Sequence, residues 1–133
     1  MSSRANKDRH QLTPILLYAA DIYYSQTSIS RNFAHPHTST FVEHVPEHKI
    51  KTILQNKPIR VVYNKKKDIY ISIDNRRLFI AKKCYYYRVH QLPCLEVDAG
   101  SHYASRQLRA KGAQVMWVQL RGTCQPDDNW EIV

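Results

Sequence analysis

The stretch Tyr70–Arg77, Tyr-Ile-Ser-Ile-Asp-Asn-Arg-Arg, constrains the fold more than any other part of the 133-residue chain. Residues 70 to 73 alternate and branch as a strand does, whereas Leu78, Ile80, Ala81 and the lysines after them open a helix that runs to about Tyr87. So abrupt a change of period sets a strand end against a helix start, with Asp74 as the natural N-cap between them. The junction gathers free backbone N–H groups, the positive end of a helix dipole and two fork-shaped donors, Arg76 and Arg77. Phosphate is the ligand that best fits such a place.

The flanking segments read as parts delivered to this junction. Residues 1–12 form a polar basic arm with no apolar period, and 13–122 form one domain followed by a loop-like tail, 123–133. Ile15 to Tyr24 reads as a strand with a weak point at Ala19-Ala20. Ser25 to Ser30 is a hydroxyl-rich segment that favours caps and turns, and His35-Pro36-His37 signals a loop. Pro46 suits the first turn of a helix reaching about Gln55, with Ile50, Ile53 and Leu54 on one face. Ile59–Tyr63 and Ile69–Ile73 are the arms of a hairpin around a polar turn, Asn64 to Asp68. Leu92–Val97 is a short strand whose Pro93 puts it at an edge or puts the proline at its start. Ser101–Lys111 is helical with Gly112 after its end, and Val115–Leu120 is a last strand. This order indicates a small mixed α+β domain.

Charge narrows the partners. Twelve Lys and Arg between Lys49 and Arg88 face only Asp68 and Asp74, and that block supplies +10 in a chain of formal net charge +9. Such a surface suits a polyanion such as nucleic acid or nucleotide better than a neutral partner, although charge runs also serve solubility. Three glycines leave no room for a Gly-rich nucleotide loop, so a phosphate site must use helix ends and side chains. Three cysteines without metal-type spacing argue against a disulfide framework or a zinc site, and for a reducing, cytoplasmic or nuclear location. The longest apolar stretch, Pro14 to Tyr24, holds Asp21 and is too short to span a bilayer, so no membrane partner is expected.

Four blocks in this order, Ile22-Tyr23-Tyr24-Ser25-Gln26-Thr27-Ser28-Ile29-Ser30, Pro58-Ile59-Arg60-Val61-Val62, Tyr70 to Leu78 and Leu92 to Val97, with Val118 to Gly122 closing, resemble the ParB/sulfiredoxin-like fold over about residues 20–122. The likeness is greatest to its ParB-like branch with an Asp-Asn-Arg-Arg-Leu motif, some members of which are toxin-type nucleases. The resemblance implies a small mixed sheet with helices, and a phosphate-holding role for Asp74, Asn75, Arg76 and Arg77 at the helix start. It also carries departures. No cysteine stands at residues 74–77 as a sulfiredoxin would require, and the Gly-Glu-Arg-Arg motif of chromosome-partitioning members is replaced by Asp-Asn-Arg-Arg.

The expected function is nucleic-acid or nucleotide phosphate binding through Ser25, Gln26, Arg60, Lys65, Lys66, Lys67, Asn75, Arg76 and Arg77. If the chain is an enzyme, the expected reaction is phosphodiester hydrolysis, with Asp74, Arg76 and Arg77 as catalytic candidates. A cofactor is not indicated, and a divalent metal enters only with the nuclease reading. The competing readings are a non-enzymatic RNA- or DNA-binding component of a larger assembly and a nucleotide-dependent phosphotransferase. His44-Val45-Pro46-Glu47-His48 has the letters of an inverted zinc-protease motif, but Pro46 prevents one helix from carrying both histidines. Most of the nine tyrosines are expected as half-buried core or edge residues, with base stacking as the functional alternative.

Overall fold

The computed structural model describes residues 12–35, 38–85 and 88–121. Its centre is a five-stranded mixed sheet ordered β1 (Leu12–Leu17), β8 (Leu92–Val97), β6 (Ile59–Asn64), β7 (Ile69–Ser72) and β2 (Ile22–Tyr23). β1 is antiparallel to β8 and β7 to β6, whereas β8 is parallel to β6 and β2 to β7. Three helices cover the sheet: α1 (Glu47–Asn56), α2 (Asn75–Cys84) and α3 (His102–Lys111). Two small ladders complete the fold, β3 (Ser28–Ser30) parallel to β9 (Gln119–Arg121), and β4 (Asn32–His35) antiparallel to β5 (Thr38–Phe41). The domain is thus α+β. Among the described residues no helix is long and apolar enough to cross a membrane.

Strand alternation sends side chains to two cores. One face, with Ile22, Ile59, Val61, Leu92 and Cys94, packs against Ile50 and Leu54 of α1 and Leu78, Ile80 and Ala81 of α2. The other, with Val62, Ile73 and Val97, is covered by Ala104, Tyr103 and Leu108 of α3. The expected β6–β7 hairpin forms, and its register sets Val61 opposite Ser72 and Tyr63 opposite Tyr70. In its turn Asp68 adopts φ 55°, and Asn64 Oδ1 accepts the Lys67 N–H at 3.2 Å, the local bond that makes Asn and Asp good turn formers.

Several expectations change. The run from Ile15 to Tyr24 is two strands, broken at the anticipated weak point by a 3-10 turn, Ala19–Asp21. Leu12 belongs to β1, where it pairs with Val97, rather than to the basic arm; residues 1–11 of that arm lie outside the described residues. Ser28–Ser30 is strand because β9 supplies a ladder partner from far along the chain, and His35 ends β4 rather than lying in a loop, with Pro36 and His37 outside the described residues. Helix α2 begins at Asn75, three residues before its first apolar residue, and is assigned to Cys84; Tyr86 and Tyr87 lie outside the described residues. β8 lies between β1 and β6, with Pro93 at its start opposite β1 only. The last strand contracts to Gln119–Arg121 plus a bridge from Val115 to Tyr24, and the intervening Met116 carbonyl accepts Lys82 Nζ at 3.2 Å. Gly122 and the tail, residues 123–133 with Cys124, lie outside the described residues, and Cys84 and Cys94 are free thiols.

Candidate phosphate-binding cleft

Where β7 leaves the sheet and β6 enters it, the chain encloses a cleft of about 740 Å³. Its floor is the start of α2, Asp74 to Arg77, with Arg60 and Ile73 beside it. One wall is α1 through Thr52, Ile53, Asn56 and Lys57, and another is α3 through Tyr103 and Gln107. Gln26, Ile29 and Ser30 close the third side together with Arg121 of β9. Among the described residues, five cations line the cleft, Lys57, Arg60, Arg76, Arg77 and Arg121, against one carboxylate, Asp74.

Asp74 occupies the N-cap position of α2 without capping it. Its Oδ2 accepts the Arg60 backbone N–H and Nε, each at 2.9 Å, and its Oδ1 accepts Arg60 Nη2 at 2.6 Å and Arg77 Nη2 at 2.8 Å. The cause is local: hairpin pairing brings Arg60 to Ile73, one residue before Asp74, and charge-assisted bonds to guanidinium outcompete a bond to a neutral N–H. Burial alone would raise the Asp74 carboxyl, but the bonds from Arg60 and the charge of Arg77 outweigh it and hold the group below the usual carboxylate range. The bond to Asp74 in turn raises the Arg60 guanidinium above its ordinary value. The one carboxylate among the described lining residues is thus spent on two arginines, so its expected catalytic role has no free base behind it.

Asn75 is likewise occupied. Its side chain, on a residue 4% exposed, accepts the Ser25 N–H at 3.0 Å and donates to Ser25 Oγ at 2.9 Å and Gln26 Oε1 at 3.1 Å. Ser25, fully buried, lies behind Asn75, and its carbonyl accepts the Ala113 N–H at 3.0 Å. The two residues staple the segment after β2 to α2, so their side chains are engaged within the protein; Asn75 still lines the cleft, and Ser25 does not. Gln26 lines the cleft, although its Oε1 accepts from Asn75.

The arginines divide by task. Arg77 donates through Nη1 to the carbonyls of Lys57 and Pro58 at 2.7 and 2.9 Å as well as to Asp74, so it mainly holds the α1–β6 connection to α2. Arg60 adds a 2.6 Å bond to the Tyr103 hydroxyl and lies 5.5 Å from that ring's centroid, and its side chain keeps 32% exposure. Arg76 donates from Nη1 to the Asn32 carbonyl and makes no ion pair among the described residues. Arg121 and Lys57 are exposed at the rim.

Lys65, Lys66 and Lys67 are not part of this site. They form the tip of the β6–β7 hairpin, at the other end of β6 from Arg60, five residues or about 16 Å away. Tyr103, Gln107, Lys57 and Arg121 enter the site without having been singled out. Arg121 arrives through the β3–β9 ladder, whose partners lie about ninety residues apart, and no local pattern marks such a pairing.

The zinc-protease letters have no counterpart in space: His44 ends a 3-10 turn and stacks on Phe41, while His48 is in α1 beyond Pro46. Among the described residues, no group of three or more His, Cys, Asp or Glu could hold a metal ion. No family model matches the chain, and neither a curated protein nor a solved structure matches it.

Proposed function

We propose that this chain is a nucleic-acid-binding module of ParB/sulfiredoxin-like kind, and that its cleft holds backbone phosphate at the start of α2 without cutting it. One observation carries the reading. Because Asp74 turns onto Arg60 and Arg77, it leaves α2 without a side-chain cap, and Leu78 is the first residue whose N–H is bonded within the helix. The N–H groups of Asn75, Arg76 and Arg77 therefore have no partner inside the helix, and these three residues line a cleft that carries five cations among the described residues. The basic surface of the chain supports a polymeric anion rather than a single small one. A binding role is favoured over cleavage because the described lining contains no histidine or cysteine and its carboxylate is engaged.

Fluorescence anisotropy with labelled DNA and RNA, with and without divalent metal, tests this. Contacts from Lys57, Arg60, Arg76 and Arg121 predict a slope of log K against log salt of roughly −3, and Arg76→Ala lowers its magnitude by about 1 and the affinity by about tenfold. Salt-insensitive binding, or none, sinks the reading. Metal-dependent loss of the labelled strand that disappears in Arg76→Ala would replace it with a nuclease.

A further inference from the structure

The hairpin tip is basic, exposed and unused by the cleft. Lys65, Lys66 and Lys67 stand in the solvent-exposed turn. Beside them Tyr63 and Tyr70, both only partly covered, form a tilted ring pair with centroids 5.0 Å apart. The pair is held in place: Tyr63 donates its hydroxyl to Asp68 Oδ1 at 2.7 Å, and the left-handed backbone at Asp68 turns that carboxylate back toward the strand. Asp68 and Glu96 are the acids in electrostatic contact with the two phenols, so the tip keeps a small positive excess, carried by its three lysines. Aromatic faces beside cations are the elements of sequence-tolerant contact with a nucleic-acid strand.

We infer that the tip of the β6–β7 hairpin is a second anchor for the same nucleic-acid chain whose phosphates occupy the cleft, so that the ligand is a polymer reaching both ends of β6 rather than a mononucleotide. The inference rests on reading the cleft as a phosphate site. The separation of about 16 Å corresponds to about five phosphates at about 3.4 Å each along one strand of a duplex, within reach of a short oligonucleotide.

The test compares oligonucleotides of about four and about sixteen nucleotides on the wild type, on Lys65→Ala/Lys66→Ala/Lys67→Ala and on Arg76→Ala. The lysines are exposed, and the two turn bonds, from the Lys67 backbone N–H to Asn64 and from Tyr63 to Asp68, use no lysine side chain, so the triple variant keeps its thermal midpoint. The expected result is about a tenfold loss on the longer strand with a salt slope shallower by about 2, and unchanged binding of the shorter one. Equal affinity and slope for wild type and triple variant on the longer strand would overturn the hairpin anchor, while a loss in Arg76→Ala on the shorter strand would leave the cleft reading standing. Unaltered binding of the shorter strand by Arg76→Ala would remove the cleft reading and, with it, the two-anchor ligand.

Discussion

At Asp74 one carboxylate does for two guanidinium groups what a cap would have done for a helix. Removing it leaves Arg60 and Arg77 facing each other across a largely buried space, and breaking such a pair costs several kcal/mol. With Arg60 one-third exposed, Asp74→Ala is expected to lower unfolding free energy by about 3 kcal/mol in denaturant titrations. The sign with pH follows from its depressed pKa: the contribution is present above the ordinary aspartate range, near 4, and is lost as pH falls through the folded-state value. The mutant should therefore lose the acid-side part of the wild-type stability profile. Asn75→Ala strands the buried Ser25 N–H and releases Gln26, a loss of about 2 kcal/mol by the same measurement. Arg76 and Arg77 share a motif and look equivalent as letters; only the contacts separate them, Arg77 tied to a carboxylate and two carbonyls and Arg76 to one carbonyl, because their distant partners, the Asn32, Lys57 and Pro58 carbonyls, have no signature near residue 76.

Among the elements, legibility tracks contact range. Helix α3 was readable at both ends: the Ser101 hydroxyl accepts the Ala104 N–H at 3.0 Å, and Gly112 stops the helix at φ 73° with its N–H on the Leu108 carbonyl at 2.7 Å. A Cβ at Gly112 meets nothing within 4 Å, so Gly112→Ala isolates the backbone term and should cost about 1 kcal/mol, seen as a lower thermal midpoint without a change in ligand affinity. The β6–β7 hairpin was readable because its arms are symmetric about a polar turn, and that symmetry also places Arg60 beside Asp74. The β3–β9 and β4–β5 ladders were not, since strands of three or four residues, two of them hydroxyl-rich, carry too little apolar alternation to stand out.

Over the whole molecule, Lys82 joins segments that are remote in sequence. Its residue is 8% exposed; Nζ donates to the Met116 carbonyl at 3.2 Å and sits 4.9 Å from the Tyr24 ring centroid and 5.9 Å from that of Trp117. Burial lowers the amine to about 8, with Asp21 opposing the shift. The folded protein then holds fewer protons on Lys82 than the unfolded chain between about pH 8 and the ordinary lysine value of 10.5, so stability rises with pH across that window. Denaturation at pH 7.5 and about 9.5 should show a gain on the order of 2 kcal/mol that Lys82→Met removes. Above about pH 10 Tyr24 reverses the trend, since burial raises its phenol and that contribution fades once the unfolded tyrosine ionises.

By itself the sequence determined the three helices, the central hairpin, the α+β class and the place where strand gives way to arginine-bearing helix. Each of these rests on periods, caps and turn residues acting within a dozen positions. Tertiary structure alone decided which groups of that junction are tied up by other parts of the fold. Asp74 and Asn75, the residues best suited to a cap and an amide contact, are drawn inward by partners that the sheet and the segment after β2 bring to them. The lysine turn is carried by the length of β6 to the far end of the domain, and Arg121 and Tyr103 are brought in by packing. A buried carboxylate or amide bonds to the partners that folding puts within reach, and reach across a fold is set by the packing of whole elements, which no local pattern records.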